Sequence, residues 1–321
     1  MKKLLGLFAL IVLTGNLLLA QASDADKLVI GVGGTFAKPK IIPSLQKLAI
    51  AQIKVNYKLT STTRTVSKEK STGAIAGAKL TAFLETTDGK LTEQDFQEIT
   101  DYFYGYFQRS LKANGIDTVA WATIAATEFY QNASEKTVEA SSETSGNAWA
   151  TASAHKGNIL YGGNIGFAMG KIKKASAFCE EVGAPAAFFN ITVDFADVMV
   201  DVDIKTSGLG FYSIPKSRSW KYNSAVAAQV KVVPTNPGFS LFWNEKSQSE
   251  SLYLNNDIES GVVYHDEMNQ DLARMKNSMW AFSKEMNPVV IETTREKYKA
   301  AAKKALEKYA DALIAKHKEL K

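Results

Sequence analysis

ASAFCEEVGAPAAFFNITVDF, residues Ala175–Phe195, changes its hydrophobic period in mid-course. Ile172, Ala175, Phe178, Cys179 and Val182 recur at steps of three and four, which predicts a helix over Lys171–Val182 with one apolar face, closed by Gly183. From Ala186 the rhythm becomes two: Phe189, Ile191, Val193 and Phe195 are apolar, as in a strand. The same helix–glycine–strand order occurs in LTEQDFQEITDYFYGYFQRSLKANGIDTVAW, Leu91–Trp121. There Thr92 and Asp95 are spaced as a capping box, Phe96, Ile99, Phe103, Phe107 and Leu111 share one face, Gly115 follows Lys112 as the helix stop, and Ile116–Thr123 leaves as a strand. Helices that deliver strands define layers. The expected class is α/β (α+β), a mixed β-sheet with helices packed on it, plus long C-terminal helices.

Tyr102, Tyr104 and Tyr106 lie off that stripe or along its border. They make the candidate partner surface, against the commoner reading of half-buried tyrosines at a helix margin.

Further along the chain, Lys27–Val32 and Lys47–Leu59 read as strands, Ser61–Thr72 as a polar loop, and Ala74–Leu84 as a helix of small residues ended by Asp88-Gly89. Asn132–Gly170 is rich in Ser, Thr, Asn and Gly and has no clear period. After Phe195 the apolar positions shift from odd to even, through Val198, Val200, Val202 and Ile204. A β-bulge near Ala196-Asp197 within one bent strand accounts for the shift. Ala225–Val233 is a strand, and Pro234–Gly238 turns the chain so that Phe239, Leu241 and Trp243 return beside it. A helix over Asp266–Met286, the strand Val289–Glu292 and a helix over Thr294–Leu320 close the chain, and 266–321 reads as a helical extension of one α/β domain spanning 23–321.

The amino terminus has Lys2 and Lys3, apolar runs Leu4–Leu13 and Leu17–Ala20, and Ala20-Gln21-Ala22. This is the pattern of a signal peptide over 1–22, cleaved before Ser23, and predicts a periplasmic or secreted protein. The net charge of +5 falls to +3 without the two leader lysines, too little to point to nucleic acid. No later run is apolar enough for a transmembrane helix. The single cysteine, Cys179, excludes an intramolecular disulfide framework and sits on an apolar helix face, where a thiol is inert.

The motifs of catalysis and cofactor binding are not completed. Gly31, Gly33 and Gly34 do not spell a dinucleotide loop, and Gly166 and Gly170 are one residue too close for a phosphate loop. The three histidines, His155, His265 and His317, lack a nucleophile signature, with His317 expected on a solvated helix. Asp194, Asp197, Asp201 and Asp203 lack the glycine and distal glutamate of a calcium loop and read as a solvated strand face. Met268, Met275, Met279 and Met286, with Leu272 and Phe282, form a stripe on the expected helix, read as core rather than as a copper site. Neither metal nor cofactor is expected. The terminal helix presents Tyr298, Ala302, Ala305, Tyr309 and Leu313 to the body, with lysines outward.

The segments LKANGIDTV, ASAFCEEVGAPAAFFNITVDF and AAQVKVVPTNPGFSLFW, in this order, resemble the periplasmic α/β core of curli-secretion channel components and the amino-terminal domain of the translocation protein TolB. The chain departs from the first in having no cysteine after its leader, and from the second in having no propeller repeats. The resemblance implies an envelope-associated binding or assembly module without catalysis. The expected function is therefore a non-enzymatic partner-binding module of the cell envelope, its partner an envelope protein or small ligand, with self-association left open. The alternatives are a carrier of an apolar ligand and a hydrolase with a dispersed site.

Overall fold

The computed structural model describes residues 23–32, 38–69, 73–132, 148–160, 169–209, 215–235, 239–275 and 283–321. In chain order the strands are β1 (Leu28–Val32), β2 (Lys47–Lys58), β3 (Thr60–Lys68), β4 (Ile75–Thr86), β5 (Asp117–Thr118), β6 (Trp149–Ser153), β7 (Ala186–Leu209), β8 (Pro215–Val233), β9 (Ser240–Trp243), β10 (Ser249–Leu254), β11 (Ile258–Glu259), β12 (His265–Gln270), β13 (Ser283–Glu285) and β14 (Val289–Thr293). The α-helices are α1 (Glu93–Ala113), α2 (Trp121–Ala126), α3 (Glu128–Gln131), α4 (Met169–Val182) and α5 (Arg295–Leu320). This is an α+β fold of mixed sheets.

The larger sheet runs β1-β10-β9-β7-β2-β5, with β6 antiparallel to β2 and β8 antiparallel to the distal part of β7. At its centre β2 and β7 are parallel, Ala49 opposite Ala186 and Tyr57 opposite Val193. Both faces there are covered, so residues 48–51 and 186–189 are unbroken buried apolar runs, as in parallel sheets generally. One face carries α1 and α5. Phe96, Ile99, Phe103, Phe107 and Leu111 are all buried, as are Tyr298, Ala302, Ala305, Tyr309 and Leu313, and Phe107 meets Phe189 edge-on at 5.2 Å. The opposite face carries α4, where Ala175, Phe178, Cys179 and Val182 lie over Ala49, Ala51, Ala186 and Phe188. The small alanines on both sides let helix and sheet approach closely.

Helix α1 begins as its capping box predicts: Asp95 accepts the Thr92 N–H at 2.8 Å, and Thr92 Oγ1 accepts the Asp95 N–H. Its stop at Gly115 uses φ +76°. Asp95 also binds Arg295 at 2.7 Å, joining the first turns of α1 and α5. Burial opposes ionisation of Asp95, but the bonds from Arg295 and Thr92 outweigh it and hold the carboxyl down at about 2.

The second sheet is the main departure from expectation. Ser61–Thr72 was expected as a loop and Ala74–Leu84 as a helix, yet β3 and β4 form an antiparallel hairpin, continued by β14 and β12, with β13 beside β4. The threonines of β3 are good strand residues, and Thr62 and Thr81 bond across the pair at 3.1 Å. In β4, Ala76, Ala78, Leu80 and Ala82 are buried with Val198, Val200 and Val202 of the β7–β8 hairpin. Tertiary cover thus overrides the helix propensity of alanine. The Thr63 hydroxyl donates to the Val198 carbonyl at 2.6 Å and ties the two hairpins together.

β7 is one strand through the expected bulge region, with a register irregularity between Asp194 and Ala196. Four other expectations are corrected. Only Asp117–Thr118 of the strand after α1 pairs with β2, because the chain leaves the edge at Val119 and Trp121 starts α2. β9 returns beside β7 and β10 rather than β8. The stretch 266–286 is no continuous helix: it contains β12, a 3-10 turn at Leu272–Arg274, and β13. Asp271 accepts the Ala273 N–H at 3.0 Å, a local bond that competes with helix, and β14 offers an edge for β12. Met268 and Leu272 are exposed rather than part of a core stripe, while Met279 and Phe282 lie outside the described residues. Finally, His317 is buried rather than solvated, its Nδ1 2.7 Å from the Ile42 carbonyl oxygen, because α5 ends over the turn Ile42–Ser44.

Candidate functional site

The three tyrosines of α1 part company in the fold. Tyr102 and Tyr106 stack on each other and face α5, where Tyr102 donates to Glu307 at 2.5 Å and Tyr106 to Asp311 at 2.9 Å. The Glu307 bond first, then burial, raises the Tyr102 hydroxyl pKa; for Tyr106 burial leads and Asp311 adds to it. Tyr104 points elsewhere, to the edge of the larger sheet where β6 ends. Burial pushes its hydroxyl up to about 12, and Gln108 donates to it at 3.1 Å.

At that edge Tyr104 meets two residues the sequence did not bring together, Trp121 and His155. The His155 ring stacks on the Trp121 ring at 4.8 Å and 26°, and stands edge-on to Tyr104 at 4.4 Å. Tyr130 closes the cluster from α3, perpendicular to Trp121 at 5.2 Å. Tyr104 belongs to the core under α1 and α5, and Tyr130 to the core under α4. The aromatic cluster therefore wraps around the sheet edge from one layer to the other.

The loop that displays His155 is strained. His155 and Lys156 both adopt left-handed backbone, φ +56° and +53°, and neither is glycine. Each costs on the order of 1 kcal/mol, a cost that persists only where the surroundings enforce it. Asp101 Oδ1 accepts the His155 main-chain N–H at 2.7 Å, while its other oxygen and the Ser153 carbonyl both take Gln97 Nε2 at 2.9 Å. Tyr130 Oη accepts the Asn158 N–H at 2.7 Å. Burial raises the Tyr130 pKa and this bond works against it. Between these anchors sits Gly157, where a Cβ would fall 2.3 Å from Tyr130 Oη and 2.9 Å from the Trp121 ring. Only glycine fits so close an approach.

The result is an outward imidazole backed by an indole, with the exposed Lys156 beside it. Both oxygens of Asp101 are engaged, one by the His155 main chain and the other by the Gln97 amide. Among the described residues, no three of His, Cys, Asp and Glu gather as a metal site. Of the sequence-marked groups, Cys179 is buried, with its thiol pushed up to about 12, first by burial. Asp194 is buried against Lys58 and Ser61, which corrects its expected place on a solvated face, whereas Asp201 and Asp203 are exposed. A small cavity where β8 gives way to β9 along β7, lined among others by Asn190, Thr235, Ser240 and Tyr309, measures about 20 Å³, room for one water.

No family model matches this chain, and neither a curated protein nor a solved structure matches it.

Proposed function

We propose that this chain is an exported, non-enzymatic protein of the cell envelope, periplasmic or secreted, that works as a partner-binding or assembly module. The observation that carries the reading is the Trp121–His155–Lys156 surface. A fold that sustains two adjacent left-handed non-glycine residues, and fixes them with Asp101, Gly157 and Tyr130, keeps a cationic and aromatic pair in one outward geometry. Enforced strain of this kind concentrates at working surfaces. The leader-like residues 1–22 and the resemblance to envelope α/β cores support the location. The carrier alternative draws less support, because Met268 of its expected methionine stripe is exposed and the stretch 266–286 contains β12, a 3-10 turn and β13 rather than one helix. Among the described residues no helix is long and apolar enough to cross a membrane.

The test is site-specific photocrosslinking in intact cells from position 156, with position 316 on α5 as control. A discrete adduct in the envelope fraction that depends on position 156, and disappears in Trp121→Ala or Gly157→Ala variants that still fold, is the expected result. Equal labelling from both positions, or a cytoplasmic location of the protein, refutes the reading.

A further inference from the structure

β8 has a long edge that no described strand covers for most of its length. One of its edges pairs with β7 from Pro215 to Val233. On the other, β11 reaches only Lys231 and Val232, and Ser260 donates to the Val230 carbonyl. From Ser219 to Gln229 no described strand pairs with that edge. Such an edge invites another strand, and proteins guard against this with charge, proline, bulges or cover. The neighbouring edges are guarded: β3 carries Arg64 and Lys68, β12 carries Asp266 and Glu267 with a register shift, and β1 is short. Between Ser219 and Gln229 the only charge is Lys221, and there is no proline. Ser219, Trp220, Lys221, Asn223, Ser224, Ala225 and Ala227 are exposed, Trp220 by 48%.

We propose that two copies of this chain associate by pairing their β8 strands antiparallel, edge to edge, about a two-fold axis. A second copy is the occupant because the edge is complementary to itself. Antiparallel pairing centred on Ala225, which then faces its own copy, sets Asn223 opposite Ala227 and Lys221 opposite Gln229, so no like charges face each other. Small side chains on both sides let the backbones approach. The exposed acidic residues of β7, Asp201 and Asp203, then lie three strand spacings from those of the other copy, roughly 14 Å, which exceeds the screening length in physiological salt. This interface lies apart from the Trp121–His155 surface, and its test does not involve that surface.

Sedimentation velocity on the purified protein, from about 1 to 200 µM, tests the pairing. The expected result is a reversible monomer–dimer equilibrium that Ala225→Lys weakens about tenfold or more and Ala225→Val preserves, both variants melting like the parent by circular dichroism. Amides of residues 223–229 should exchange more slowly at the high end of the concentration range than at the low end. A monomer at every concentration overturns the proposal. So does a dimer indifferent to Ala225→Lys, which would place self-association on another face.

Discussion

Replacing Asp194 with alanine should be among the most damaging single changes in this protein. Its side chain is 5% exposed, and its carboxylate sits where β7 passes from the larger sheet into the hairpin against β3 and β4. One oxygen takes Lys58 Nζ at 2.5 Å and the Ser61 hydroxyl at 3.2 Å, and the other takes the N–H groups of Phe195 at 2.8 Å and Ala196 at 3.4 Å. Alanine leaves the half-buried Lys58 without its counter-charge and two main-chain donors at the register irregularity without acceptors. Breaking one side of a buried pair costs about 3–5 kcal/mol, because the surviving charge stays in a poor solvent. In a chain of this size that lowers Tm by roughly 6–15 °C. Urea unfolding at pH 7 followed by circular dichroism measures the loss, and moderate salt should not reproduce it, since a pair this far from bulk water is little screened. Asp194→Leu with Lys58→Met should recover most of the stability, as apolar replacements of buried pairs do. A loss below about 1 kcal/mol for Asp194→Ala, or a double variant as unstable as the single, would refute the view that this carboxylate holds the joint.

Two further outcomes follow from the titrating groups. Asp95 has its carboxyl depressed to about 2, so its contribution is present above the unfolded value near 4 and fades as pH falls through 2; Asp95→Asn should cost roughly 2 kcal/mol at pH 7 and almost nothing at pH 2, and a pH-independent difference in melts would contradict the Arg295 pairing. Cys179, buried under α4 with its pKa raised, should react with a thiol reagent at pH 8 far more slowly in the native protein than in guanidinium, and second-scale native labelling would mean that α4 lifts from the sheet.

What could be read from the residues divides along physical lines. Helices α1, α4 and α5 were legible because apolar residues at steps of three and four coincide with signals at the helix ends, Thr92 before α1, Gly183 after α4 and Thr294 before α5. β2 and the first part of β7 were legible for the same reason at period two. β3 and β4 were not, because Ser, Thr, Ala and Gly carry little hydrophobic contrast, and what makes them strands is the distant cover of Val198, Val200 and Val202. The stretch 266–286 misled by its spacing of methionines, which is helical in number only. At the candidate site, Tyr104 was visible, but Trp121 lay in an expected strand. His155 stands far from both in sequence and meets them only once β6 is set beside β2. The local sign was His155-Lys156-Gly157, which marks a turn and gives no hint of its backbone strain.

The parallel pairing of β4 with β14 has a consequence in time. The residues flanking that ladder, Asp88 and Arg295, are 207 positions apart in a chain of 321, and their bond closes well over half of it. Until β14 arrives, one edge of β4 stays open and α1 lacks the helix beside it, so most of the chain must be synthesised before the second sheet can form. Contacts this distant slow folding, since the closing entropy is lost before the contact is gained. The segment from Val289 onward, made long after β3 and β4, is thus the latch of the structure, and a chain cut short before Val289 keeps its β-hairpins but has nothing to fasten them with.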